Sequence, residues 1–248
     1  MHINERIQGV IESDTCTHLV NLLTHRSTDV QFSSLRTIGN IVVHGDGYQT
    51  QAVITSGALP ALLPLPSSPK NEIRKEACWT ISNITAGSPS QIKAVLDANI
   101  IPALIGILQD DDVGTKKDTC YAIVNASYGW PGSIPYLVRQ GCIQTFCDLL
   151  KLADNEIFRS ALDGLYNILR VGEIDRINKG HTVNLYAIDV EITGGLDTIQ
   201  KVGKNAMRAA NIMDKYFPVC TVCTLRTNQA TRLIFKKNSS PQFSAVIS

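Results

Sequence analysis

Glu76, Trp79 and Asn83 are spaced by three and then four residues. On a helix they share one stripe that carries a carboxylate, an indole and an amide. A carboxylate, an indole and an amide on one stripe are unusual for a helix that only builds structure. An indole face can attract a cation, by about 0.5–2 kcal/mol per contact. A carboxylate can pair with one, and an amide can both donate and accept hydrogen bonds. A lone tryptophan on a helix is as readily a core residue, so this stretch by itself leaves both readings open. The stripe recurs, however. Asp118, Tyr121 and Asn125 repeat the three offsets 42 residues later. Upstream, Asn40 is preceded by Arg36 in the aromatic's place and Ser33 in the acid's; downstream, Asn167 has Asp163 in the aromatic's place. Successive asparagines are separated by 43, 42 and 42 residues.

The elements that carry these residues follow from the apolar pattern. Ile73, Ala77, Ile81 and Ile84 keep the three-and-four spacing of an amphipathic helix, and Gly87 is a natural stop. A second landmark holds the same period. Gly57-Ala58-Leu59-Pro60 matches Asn99-Ile100-Ile101-Pro102 and, more loosely, Gly141-Cys142-Ile143-Gln144. Two landmarks with one period of about 42 residues indicate an all-α solenoid of the armadillo or HEAT kind. Pro64 and Pro66 fall inside the middle helix of one repeat, where interior proline costs about 3 kcal/mol, so that helix is expected to end early or distort. Asp154-Asn155-Glu156 opens the long helix of residues 131–172 with a cap followed by an acid.

The run from Lys75 to Gly87, followed by Asp97 to Ile105, resembles importin-alpha, the armadillo-repeat adaptors that carry cargo with nuclear-localisation signals. Arg36 with Gly39 and Asn40 resembles the family's sixth repeat; Trp79 and Tyr121 fall in the seventh and eighth. The resemblance runs from about residue 5 to about 217. It implies a right-handed superhelical armadillo solenoid of about four repeats, near 5–45, 48–87, 88–129 and 131–172, plus a looser unit over 173–217. Residues 218–248 read as a polar, disordered tail. The long third helices would line a concave groove that binds Lys/Arg-rich localisation peptides through Arg36, Asn40, Asp46, Thr50, Glu76, Trp79, Ser82, Asn83, Asp118, Tyr121 and Asn125. Asp46 and Thr50 stand in a loop one residue longer than the family's. Tyr121 replaces the family's tryptophan and offers a smaller face, while Arg36 marks an end of the aromatic ladder. The helix of Asn167 lacks the aromatic and is expected to support the groove rather than extend it.

Further partners of the family are importin-beta and a recycling exportin. The basic amino-terminal segment that recruits the first is absent from this sequence, and the carboxy-terminal unit used by the second is shortened after Gln200, so neither is carried to this chain with any force. The chain opens inside the array, as a fragment would, or as an array whose end a partner covers. A scaffold of the catenin sort, binding acidic partners, would need a basic groove, which Glu76 and Asp118 oppose; a non-functional truncated relative is the third reading.

Composition narrows the rest. The formal charge of +1 argues against nucleic-acid binding, and no apolar run reaches 18 residues, so no membrane span is expected. Seven scattered cysteines suit buried, reduced thiols in cytoplasm and nucleus. Cys220-Thr221-Val222-Cys223 is an isolated CxxC, and the five histidines show no metal-ligand spacing. Neither a catalytic motif nor a cofactor fingerprint is found; the chain reads as a non-enzymatic binding protein without cofactors.

Overall fold

The computed structural model describes residues 3–110, 112–130, 132–202 and 207–217. Among these, every regular element is helical. The helices come in threes: α1 (Ile3–Glu12), α2 (Thr15–Leu22) and α3 (Thr28–His44); α4 (Gly47–Thr55), α5 (Ala58–Leu62) and α6 (Asn71–Thr85); α7 (Pro89–Asp97), α8 (Ile101–Asp110) and α9 (Val113–Ala126). Two further triplets follow: α10 (Ser133–Arg139), α11 (Cys142–Leu149) and α12 (Asn155–Lys179); α13 (Leu185–Ile192), α14 (Gly195–Val202) and α15 (Met207–Tyr216). The long third helices pack in series, α3 on α6, α6 on α9 and α9 on α12.

The period seen in the sequence has local physical causes. Gly57, Asn99 and Gly141 all adopt the left-handed backbone conformation, with φ of 87°, 56° and 88°, just before the second helix of their triplets. Asp14 does the same before α2. Only glycine, asparagine and aspartate take this conformation readily, which is why those types recur there. The first helices of two triplets start with a capping box, Asp46 with Gln49 and Ser88 with Gln91. Asp112 and Asp154 cap α9 and α12. The predicted apolar stripe of α6 is the core: Ile73, Ala77, Ile81 and Ile84 are fully buried, as are the equivalent thiols Cys78 and Cys120.

Neighbouring triplets are also tied by hydrogen bonds. Gln49 Nε2 donates to the Asn4 carbonyl at 3.0 Å, and Gln91 Nε2 to the Gly47 carbonyl at 2.8 Å. The two glutamines are 42 residues apart and do the same job one triplet on.

The proline expectation holds: α5 has only five residues, and Leu65–Ser67 form a 3-10 turn. The expected break at residue 172 does not. α12 runs on to Lys179 and stops at Gly180, whose φ is 67°. Gly172 lies inside this helix, and Asn184 and Tyr186 stand against its backbone where a side chain would be. Pairs Glu173–Arg176 and Asp175–Lys179 then lie along the extra turns. The CxxC, the polar tail and residues 203–206 of the shortened stretch fall outside the described residues.

Candidate peptide-binding groove

Arg36, Glu76 and Trp79 meet, although 40 residues separate the first two. Arg36 Nη1 donates to Glu76 Oε2 at 2.8 Å, and its guanidinium carbon lies 5.2 Å from the Trp79 ring centroid. The two ends of this ion pair differ in exposure. The Glu76 side chain is 6% exposed and that of Arg36 54%. The other carboxylate oxygen of Glu76, Oε1, is buried without a hydrogen-bond partner among the described residues.

Trp79 is half-buried. Its place is made by Gly39, because a β-carbon there would stand 2.5 Å from indole Cζ3. Gly39 thus sets how closely α6 approaches α3. The sequence singled it out only as part of a motif; the contact itself gives the reason.

One triplet on, Asp118 and Tyr121 occupy the same offsets on α9. Tyr121 is 39% exposed. Burial pushes the Asp118 carboxyl above its ordinary range; Lys75 pulls it back, and the charges of Glu76 and Asp112 add to the rise. Among the described residues Asp118 has no ion-pair partner, whereas Lys117 beside it is bound to Asp154 at 3.2 Å and Glu156 at 3.0 Å.

The asparagines line up along the same series of helices. Asn40 is exposed, and Asn83 and Asn125 are half-buried. Asn83 Nδ2 donates to the Trp79 carbonyl at 2.7 Å and Asn125 Nδ2 to the Ser82 carbonyl at 3.2 Å. One donor of each amide therefore fixes its orientation. Asn167 is different: it is buried and donates to Ser127 Oγ at 2.7 Å.

Three other sequence candidates serve the fold. Asp46 Oδ1 accepts from Tyr48 N and Gln49 N, both at 2.9 Å, as the cap of α4. Thr50 is buried. Ser82 is buried too, and its hydroxyl donates to the Trp79 carbonyl at 2.8 Å. These placements give the three a supporting geometry rather than a free surface.

A cluster that sequence reasoning missed closes the far end. Arg208 Nε donates to Asp163 Oδ1 at 2.6 Å, and its guanidinium carbon lies 4.6 Å from the Tyr166 centroid. Tyr166 also meets Tyr216 edge-on at 6.0 Å. Arg208 and Tyr166 stand outside the repeating offsets, so periodicity gave no signal for them.

Comparison with known proteins fits this architecture. The model of the Armadillo/beta-catenin-like repeat matches residues 4–43, 48–86 and 88–128. Importin subunit alpha-4 of Arabidopsis thaliana is 46% identical over 86% of this chain and 41% of its own length. Importin subunit alpha-1b of Oryza sativa subsp. japonica is 49% identical over 80% of the chain and 38% of its own length. The chain thus spans about two fifths of the curated relatives it matches. Among solved structures, computationally designed armadillo repeat proteins for modular peptide recognition superpose with a TM-score of 0.77 at 28% identity, covering 86% of this chain and 87% of theirs. A designed armadillo repeat protein in complex with the peptide (KR)4 gives 0.73 at 28% identity, covering 85% of each. Repeats, helix order and relatives agree: the chain is an armadillo-repeat solenoid, similar over most of its length to importin alpha subunits.

Proposed function

We propose that the chain is an import adaptor that binds Lys/Arg-rich localisation peptides in extended form across α3, α6 and α9. Arg36 carries this reading. Its guanidinium already lies over Trp79 and on Glu76, so the shelf and the carboxylate are built to take a basic side chain. Asp118 and Tyr121 offer the same pair of groups one triplet on, and Asn40, Asn83 and Asn125 would bond the peptide backbone. The similar designed protein solved with a (KR)4 peptide supports the chemistry. Cargo carried in this way would place the chain in cytoplasm and nucleus. The reading needs neither importin-beta nor an exportin.

A fluorescence-anisotropy titration tests it, with a labelled lysine-rich peptide and an acidic peptide of equal length. The basic peptide should bind and the acidic one should not. Trp79→Ala, checked for helicity by circular dichroism, should lose at least about tenfold in affinity, the equivalent of one strong cation–π contact. Equal binding by a folded Trp79→Ala would return the indole to the core and remove the groove.

A further inference from the structure

Arg36 does what a ligand's basic side chain would have to do, and it does so from within the chain. Its head holds the Trp79 face and one oxygen of Glu76. The grip is incomplete. Only Nη1 is within bonding distance of the carboxylate, the second carboxylate oxygen has no partner among the described residues, and more than half of the Arg36 side chain faces water. Glu76, by contrast, is fixed in a buried position. An exposed arm on a buried acceptor is displaceable; the acceptor is not. The far end repeats the arrangement, with Arg208 on Asp163 and over Tyr166. Between them, Asp118 is half-buried with no ion-pair partner among the described residues, and Tyr121 is exposed. The row of third helices therefore presents one open acid–aromatic pocket flanked by two that are already filled.

We propose that Arg36 is an intramolecular competitor: it occupies the Glu76–Trp79 pocket, and a basic peptide must displace it to gain that position. The inference rests on the groove reading above. Its consequence is selectivity. A single lysine or arginine entering at Asp118 and Tyr121 has no ion-paired occupant to displace among the described residues, and meets only the charge of nearby Lys75. Only a ligand with a second cation in register gains the Glu76 pocket, by taking over Oε2 and the Trp79 face from Arg36.

The test is a double-mutant cycle read by peptide affinity. Arg36→Ala should tighten binding of an arginine-rich peptide by about five- to tenfold, the equivalent of one freed cation–π and ionic position. In a Glu76→Gln background the same change should alter affinity less than about twofold, because the contested carboxylate is gone. A gain of equal size in both backgrounds would mean that Arg36 acts only through its net charge, and would overturn the proposal. So would weaker or unchanged binding by Arg36→Ala while wild type binds; the groove reading would then survive alone. If neither protein binds the peptide, the groove reading falls and takes this inference with it. Should Arg36→Ala fail to fold because Glu76 is left unpaired, Arg36→Gln keeps one N–H donor for the carboxylate while giving up the charge, and is expected to show the same gain.

Discussion

α6 and α9 carry the same acid–aromatic–asparagine stripe, yet the two acids live differently. Glu76 is buried and held by Arg36; Asp118 is half-buried and has no ion pair among the described residues. The difference does not lie in the stripes. It comes from the preceding long helix. Four residues before its asparagine, α3 has Arg36 where α6 has Trp79. A pocket in this array is thus built by two triplets, and at Glu76 and Asp118 the upstream one decides whether the acid is occupied. The repeat is a unit of folding, while the site belongs to the joint between repeats.

The contrast can be broken most severely at Glu76. Glu76→Lys would put an ammonium against Arg36 in a buried position, and should cost about 3 kcal/mol of stability in urea unfolding. That is the low end of the range for disrupting a buried pair, since Arg36 can turn to water. An unchanged midpoint would mean that the pair is ornamental.

A smaller effect is expected at Gly39. Gly39→Ala drives a methyl group into the indole, an overpacking cost of about 1–3 kcal/mol, of which better helix propensity returns about 1. Tryptophan fluorescence should shift as Trp79 is pushed toward solvent. A variant more stable than wild type, with its emission unmoved, would show that the α3–α6 contact is loose.

The smallest change belongs to Asp118. Its folded-state pKa is raised, so the folded chain binds this proton more tightly than the unfolded chain does. The favourable contribution is present at low pH and is lost as pH rises from the ordinary value of 3.8 through the raised one. Asp118→Asn should therefore raise Tm slightly at neutral pH and leave it unchanged in acid. The same proton competes with a basic ligand, so wild-type peptide affinity should fall as pH drops through a window just above the usual aspartate range. Affinity that does not change across that window would take Asp118 out of the pocket.

How legible was this in the sequence? The solenoid was, because its causes are local and repeat. A left-handed residue before each second helix selects glycine, asparagine or aspartate, and Ile73, Ala77, Ile81 and Ile84 mark the buried stripe. Pro64 and Pro66 announced a broken helix. The stripe of candidate site residues was legible for the same reason. Contacts between unlike positions were not. That Glu76 would be buried under Arg36, or that Arg208 would reach Asp163, depends on where one helix comes to rest against another. Gly172 is the clearest case: the close approach of Asn184 and Tyr186 is what requires a glycine there, and α12 continues through it past the repeat bound read near 172. Asp46, implied only by family resemblance, turned out to be a helix cap.

The glutamine ties have a mechanical meaning. Gln49 and Gln91 bind the backbone of the preceding triplet, and bonds to neutral carbonyls are indifferent to salt. At the next step the equivalent position is Ser133, whose hydroxyl turns back to the Trp130 carbonyl at 2.7 Å within its own segment. That joint rests in part on Lys117, bridged to Asp154 and the exposed Glu156. Exposed ion pairs weaken as ionic strength rises. Each of the first two joints therefore holds a glutamine tie that salt does not weaken, whereas the third carries at the equivalent step an exposed ionic tie that weakens as salt rises.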